Sequence, residues 1–237
     1  MKFARNDILN RKMNLIVESH PVSIPVASGL IEGELGIPPA SRATVLFAHG
    51  SGSSRHSPRN KYVERILNAS GISTLLLDLL TTHEEALDRQ TAYLRFDIDL
   101  LAERLVSATH WLRERSSPET QHLGYFGAST GAAAALVAAA KCSDIIEAVV
   151  SRGGRPDLAG PSLMFVTAPT LLMVGEYDET VIELNRQAAR ELRAPHELVI
   201  IPRASHLFEE PGALEQVSYL ARLWFEDHLL GKRKNVA

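Results

Sequence analysis

Cysteine is nearly absent. Cys142 stands alone among 237 residues, so no internal disulfide framework can form and a hydrophobic core has to hold the chain, a pattern that fits a reducing compartment. Positive charge is not in surplus either: 25 Lys and Arg face 28 Asp and Glu, a formal net charge of −3, and the basic residues are scattered apart from Lys232-Arg233-Lys234. No basic field is left to hold nucleic acid. Missing too are any run of about 20 apolar residues, the length a membrane-spanning helix needs, and an apolar core in the opening segment MKFARNDILNRK, which a secretory leader would carry. A cytoplasmic protein without nucleic-acid or membrane partners is expected. No internal repeat or low-complexity tract occurs beyond one Ala-rich run. What is present is ordinary for a globular chain, 45% hydrophobic and 22% charged. The length suits one α/β domain over residues 1–237, with 231–237 a frayed tail and a monomer or weak homodimer as the assembly.

Two kinds of apolar pattern alternate along the chain. Residues 14–26 and 28–37 alternate loosely between apolar and polar and are rich in β-branched residues, which predicts a leading antiparallel pair at a sheet edge. Ala43–Ala48, Ile72–Leu77, Leu123–Phe126, Ala148–Val150, Thr170–Val174 and Glu197–Ile201 are short and mostly apolar, as strands covered on both faces must be. Helical patterns fall between them: Arg59–Ala69, a stripe of Leu94, Ile98, Leu101, Leu105, Ala108 and Leu112, an Ala-rich run Ala132–Ala140, Val181–Leu192, and a closing helix marked by Leu214, Val217, Leu220 and Trp224. Thr81–Gln90 reads as a polar loop. Strand and helix in alternation predict a mostly parallel sheet with helices on both faces.

In such a sheet, ligands bind past the carboxyl ends of strands, so the polar residues found there carry the functional question. Gly127-Ala128-Ser129-Thr130-Gly131 lies between the strand ending at Phe126 and the Ala-rich helix. That is the strand–turn–helix setting of a G-x-S-x-G nucleophile elbow, where the turn is too tight for side chains on either side of the serine. A serine nucleophile needs a base within hydrogen-bond reach and an acid to orient the base, in the chain order serine, acid, histidine. Of the downstream histidines, His196 precedes its strand and His228 lies in the last helix, leaving His206 at the correct edge. The acid is expected from the end of strand Thr170–Val174, with Asp178 preferred over Glu176 and Glu179 because Gly175 lets the chain turn over the sheet edge.

A developing oxyanion needs two preorganised donors. The residue after the serine, Thr130, supplies one amide, and the loop His49-Gly50-Ser51-Gly52 supplies the other, with Ser51 the chosen donor. Gly50-Ser51-Gly52 opens like a dinucleotide fingerprint, but Arg55 occupies the next glycine position and no Gly-Lys-Ser/Thr follows, so no cofactor is expected there. His49 reads as a structural residue under that loop. His83, Glu84, Glu85 and Asp88 match no helical zinc spacing and read as a solvated loop, so no metal is expected. Cys142 reads as a small core residue. Arg55, Arg59 and Arg152 fall near the carboxyl edge on separate loops, and their planar forks suit carboxylate or phosphate. They predict an anion-holding wall beside Ser129, with pairing to rim acids such as Glu84 and Glu85 as the alternative.

With HGSGSS, GASTG, VGEYD and ASHLFEEPG in place, the chain resembles the α/β-hydrolases, and more narrowly their dienelactone-hydrolase-like group, over residues 14–230. The resemblance implies an α/β-hydrolase fold of about eight strands, little or no cap domain, no cofactor, and hydrolysis of a small-molecule ester or lactone. The group carries a cysteine nucleophile where this chain has Ser129, a departure that favours a serine esterase; thioesterase, amidase and non-catalytic binding protein are the alternatives.

Overall fold

The computed structural model describes residues 17–116 and 122–231. Residues 14–16 of the expected leading pair, and all of the expected tail except Gly231, lie outside the described residues. Eight strands form one sheet in the order β1-β2-β4-β3-β5-β6-β7-β8. β1 (Glu18–Val26) and β2 (Gly29–Ile37) pair antiparallel at one edge, and β2 runs antiparallel to β4 (Ser73–Leu77). From β4 onward, through β3 (Ala43–Ala48), β5 (His122–Ala128), β6 (Ile146–Arg152), β7 (Thr170–Gly175) and β8 (His196–Ile201), neighbours are parallel. The expected mostly parallel α/β sheet with a leading antiparallel pair is therefore present.

The two-sided burial of the central strands explains their unbroken apolarity. Every residue of β3 is buried: Leu46 and Ala48 join the apolar cluster under α3 (Ile98–Arg113) and α4 (Thr130–Lys141). Val45 and Phe47 join the cluster under α1 (Pro58–Ala69) and α6 (Ala213–Leu229). Alanine in α4 lets that helix lie close to the sheet, and Thr130 through Ala139 are all buried. Cys142 caps this helix and is buried in the same cluster. Among the described residues no helix is long and apolar enough to cross a membrane.

The stretch expected as a polar loop is instead α2 (Thr82–Thr91). A capping box starts it: the Glu84 amide donates to Thr81 Oγ1 at 3.2 Å and the Thr81 amide to Glu84 Oε2 at 2.8 Å. Only Asp88 of this helix is buried, so it shows no apolar stripe to read. Leu94, counted with α3 by its spacing, belongs to a separate 3-10 turn, because Asp97 caps α3 by accepting the Leu100 amide at 3.0 Å. Between β6 and β7 the chain makes 3-10 turns from Pro156 to Phe165, kinked at Gly160. After β7, α5 (Glu179–Glu191) leads to β8.

Candidate active site

Ser129 sits between β5 and α4 at φ 52°, ψ −122°, a conformation costly for a residue with a side chain. The neighbouring glycines make it possible. A Cβ on Gly127 would stand 2.7 Å from the Ala132 nitrogen, and one on Gly131 would press into the carbonyl groups of Ala48 and His49. Helix α4 therefore starts hard against the end of β3, and Thr130, its first residue, carries an N–H with no acceptor inside the helix.

The turn after β6 fixes the serine from the other side. The Ser129 amide donates to the Arg152 carbonyl at 3.2 Å, and the Arg155 amide donates back to the Ser129 carbonyl at 3.1 Å. Between those anchors lies Gly153, at φ 52°, where a Cβ would stand 3.1 Å from the His206 carbonyl oxygen and 3.6 Å from His206 Nδ1. One short turn thus abuts both the serine and the histidine. His206 Nδ1–H donates to Asp178 Oδ2 at 2.6 Å. An ionised carboxylate can only accept, so this bond puts a proton on Nδ1 and, in the neutral imidazole, leaves Nε2 as the acceptor. Of the other two acids considered, Glu176 accepts the Arg203 amide at 2.6 Å and Glu179 opens α5.

Beside this group lies a cleft of about 270 Å³, lined by Gly50, Ser51, Thr130, Asp88 and Arg95 among others. Gly50 abuts Ser129, since a Cβ on it would lie 3.0 Å from Ser129 Cβ. His49 is half-buried at the base of the loop and lines the cleft, its Nδ1–H donating to the Gly50 carbonyl at 2.9 Å and its Nε2 accepting the Leu79 amide at 3.3 Å. Burial pushes its pKa down, in keeping with the neutral ring that these two bonds require.

The structure corrects four of the expected placements. Ser51 is expected to offer its amide to the oxyanion, but that N–H donates to Thr130 Oγ1 at 2.9 Å. The three arginines form no wall. Arg55 donates its amide to Asp78 Oδ1 and pairs its guanidinium with Asp78 Oδ2, and Arg59 pairs with Glu209 at 3.0 Å. Arg152 is buried on the α1 and α6 side of the sheet, its guanidinium 6.0 Å from the Phe208 ring centroid and its Nη2 3.5 Å from Asn60 Oδ1. Burial, and then the neighbouring Arg59, lower its pKa to about 10.

The acids expected in a solvated loop are partly engaged. Glu84 binds Arg104 at 2.6 Å, and Asp88 binds Arg95 Nε at 2.6 Å and the Arg95 amide at 3.0 Å. Among the described residues no group of three or more His, Cys, Asp or Glu is arranged to hold a metal ion. Arg95 is the residue that sequence reasoning missed. Its guanidinium reaches the cleft, with Nη1 3.8 Å from where a Gly52 Cβ would stand, and nothing in the seven-residue spacing from Asp88 announces the pair.

Comparisons with known proteins bear on the family and the fold. The family model described as Dienelactone hydrolase family matches residues 40–226. A crystal structure of a dienelactone hydrolase from Anabaena variabilis is 57% identical, with a TM-score of 0.86, covering 90% of this chain and 99% of that one. Est1E from Butyrivibrio proteoclasticus shares the fold at 17% identity and a TM-score of 0.72, covering 90% of this chain and 99% of its own. A curated relative from Mycobacterium tuberculosis, named "Putative phosphoribosyl transferase", is 55% identical over 208 residues, which are 88% of this chain and 45% of that protein. This chain thus spans a little under half the length of the curated relatives it matches. On the fold and on the extent of the family match, the chain belongs to the dienelactone hydrolase family, with its α/β-hydrolase fold.

Proposed function

We propose that this protein is a serine hydrolase that cleaves a small carboxylic ester or lactone through an acyl-enzyme. The observation that carries the reading is the His206–Asp178 bond of 2.6 Å beside a serine held at positive φ by the same turn. With Nδ1–H engaged by Asp178, His206 Nε2 takes the Ser129 hydroxyl proton as Oγ attacks the carbonyl carbon. The carbonyl π electrons move to oxygen, and the Thr130 amide donates to that oxyanion. Collapse re-forms the carbonyl and expels the alcohol, which takes the proton from His206. Water then repeats the sequence on the acyl-enzyme, with His206 as its base.

Nucleophile, base and orienting acid all come from this chain, so the reaction as written requires no cofactor. The cleft beside Thr130 would hold one side of the ester, with the Asp88–Arg95 and Glu85–Arg89 pairs in its wall to meet a polar group and Leu80 and Leu101 to meet an apolar one. The transferase name of the mycobacterial relative belongs to a protein of which this chain matches less than half. The groups gathered at Ser129 are those of acyl transfer.

The test is labelling with a fluorophosphonate, combined with a panel of p-nitrophenyl esters, thioesters and lactones on one preparation. Labelling lost in Ser129→Ala, with turnover of esters or lactones, supports the proposal. A folded protein that neither labels nor turns over any member of the panel is a binding protein on a hydrolase fold instead.

A further inference from the structure

The Ser51–Thr130 bond leaves one proton without an acceptor. Thr130 is 4% exposed and lies at the first position of α4, so its hydroxyl has no helical carbonyl one turn back to bind. Its Oγ1 accepts the Ser51 amide at 2.9 Å, which uses that oxygen as an acceptor. The O–H proton has no acceptor among the described residues, and Thr130 lines the cleft together with Gly50 and Ser51. Two further facts set this residue and its Ser51 partner beside Ser129: Thr130 follows Ser129 directly, and Gly50, which precedes Ser51, packs against Ser129 Cβ.

A hydroxyl that accepts a hydrogen bond from an amide is polarised and becomes a better donor through its own proton. The Ser51 amide, by contrast, already has a partner. Resting on the hydrolase reading above, we infer that the second oxyanion donor is the side-chain hydroxyl of Thr130, polarised by the Ser51 amide, so that one residue supplies both donors. In the first step the Ser129 Oγ–carbon bond forms as the carbonyl π bond opens. The new negative charge on oxygen is met by Thr130 N–H and Thr130 Oγ1–H. When the carbonyl re-forms and the alcohol leaves with the His206 proton, both donors return to the neutral carbonyl oxygen, and no proton is transferred from Thr130. Ser51 acts through the hydroxyl and is a positioning residue.

The experiment compares Thr130→Val, which removes the hydroxyl at nearly constant shape, with Thr130→Ser, which keeps it. Each is assayed on a p-nitrophenyl ester and on its thionoester, whose sulfur is a poor hydrogen-bond acceptor. Thermal unfolding confirms that both variants fold. Losing one oxyanion donor should lower kcat on the ester by about 10²–10³-fold with KM little changed. The loss on the thionoester should be much smaller, and Thr130→Ser should restore the ester rate to within about tenfold of the parent. A general disturbance of the loop would lower ester and thionoester together, and that result overturns the inference. So does a Thr130→Val enzyme with parental or greater kcat, because the freed Ser51 amide would then be the donor and the hydroxyl only its resting occupant. Failure of the parent enzyme itself to label or turn over is a separate outcome, which removes the hydrolase reading and the inference with it.

Discussion

Gly131→Ala sets two rules of helix chemistry against each other. By intrinsic propensity alanine is better than glycine inside a helix by up to about 1 kcal/mol, so on sequence grounds the change should stabilise α4. The packing says otherwise. The new methyl would press on the carbonyl oxygens of Ala48 and His49, which lie nearer to it than the Ala48 carbonyl carbon at 2.7 Å, and ordinary contact begins near 3.4 Å, so the end of β3 or the start of α4 has to shift by at least about 0.7 Å. The opposing atoms are backbone, which cannot rotate away. Overpacking of this kind costs about 1–3 kcal/mol, so the net change is a destabilisation of roughly 0–2 kcal/mol, a melting temperature a few degrees lower. The functional effect should be larger than the stability effect, because the displaced segment carries His49, Gly50 and Ser51 beside the nucleophile. A misplacement approaching 1 Å there is enough for about a 100-fold loss of kcat. Thermal unfolding and p-nitrophenyl ester turnover are measured on Gly131→Ala and on Gly160→Ala, where φ is +49° but a Cβ would meet nothing within 4 Å. The control should lose about 1 kcal/mol from backbone strain alone and keep its kcat. A Gly131→Ala protein with parental kcat and a raised melting temperature would refute the argument, because helix propensity would then outweigh the clash.

Asp178→Asn should lower kcat by about 10³–10⁴-fold, since the amide cannot hold Nδ1–H in place, while Glu176→Gln stays close to parental; the reverse ranking would move the orienting acid to Glu176. Arg152→Met should leave the ratio of kcat/KM for a carboxylate-bearing ester and its neutral isostere unchanged, and should be neutral or stabilising in thermal unfolding, because it replaces a buried cation that has no carboxylate partner among the described residues. A collapse of that ratio would return Arg152 to the cleft. Asp88 is buried, which raises its pKa, but the Arg95 amide and guanidinium outweigh burial and hold it below the usual carboxylate value. A depressed pKa adds stability above the unfolded-state value, about 3.9, and loses it as pH falls through the folded-state value. The melting-temperature gap between parent and Asp88→Asn should therefore shrink steadily as pH is lowered from about 6 to about 3; a gap that stays constant across that range contradicts the pairing.

Features that depend on burial repeated along the chain are legible in the sequence. Strands flanked by helices on both faces must be apolar throughout, so β3, β5 and β7 stand out, and Gly127 and Gly131 mark the tight turn because no other residue fits there. Helix α2 escapes such a reading because it buries one residue, and the signal present, Thr81 three residues before Glu84, is a capping pattern without a stripe behind it. Arg152 is misplaced by the sequence for a different reason. Its position near the carboxyl end of β6 suggests a side chain facing the nucleophile, yet strand parity already decides the face. Ala148 and Val150 pack under α1 and α6, and Arg152, two residues further along, follows them to that side. Counting parity from Ala148 removes it from the cleft without any coordinates. Arg95 and the Thr130 hydroxyl are different again, because their places depend on contacts between residues 7 and 79 positions apart, Asp88 with Arg95 and Ser51 with Thr130. No periodicity encodes a single long-range hydrogen bond. The chain pattern therefore predicts where the candidate edge will lie, while the polar contacts that line its cleft are individual ones that only the folded arrangement reveals.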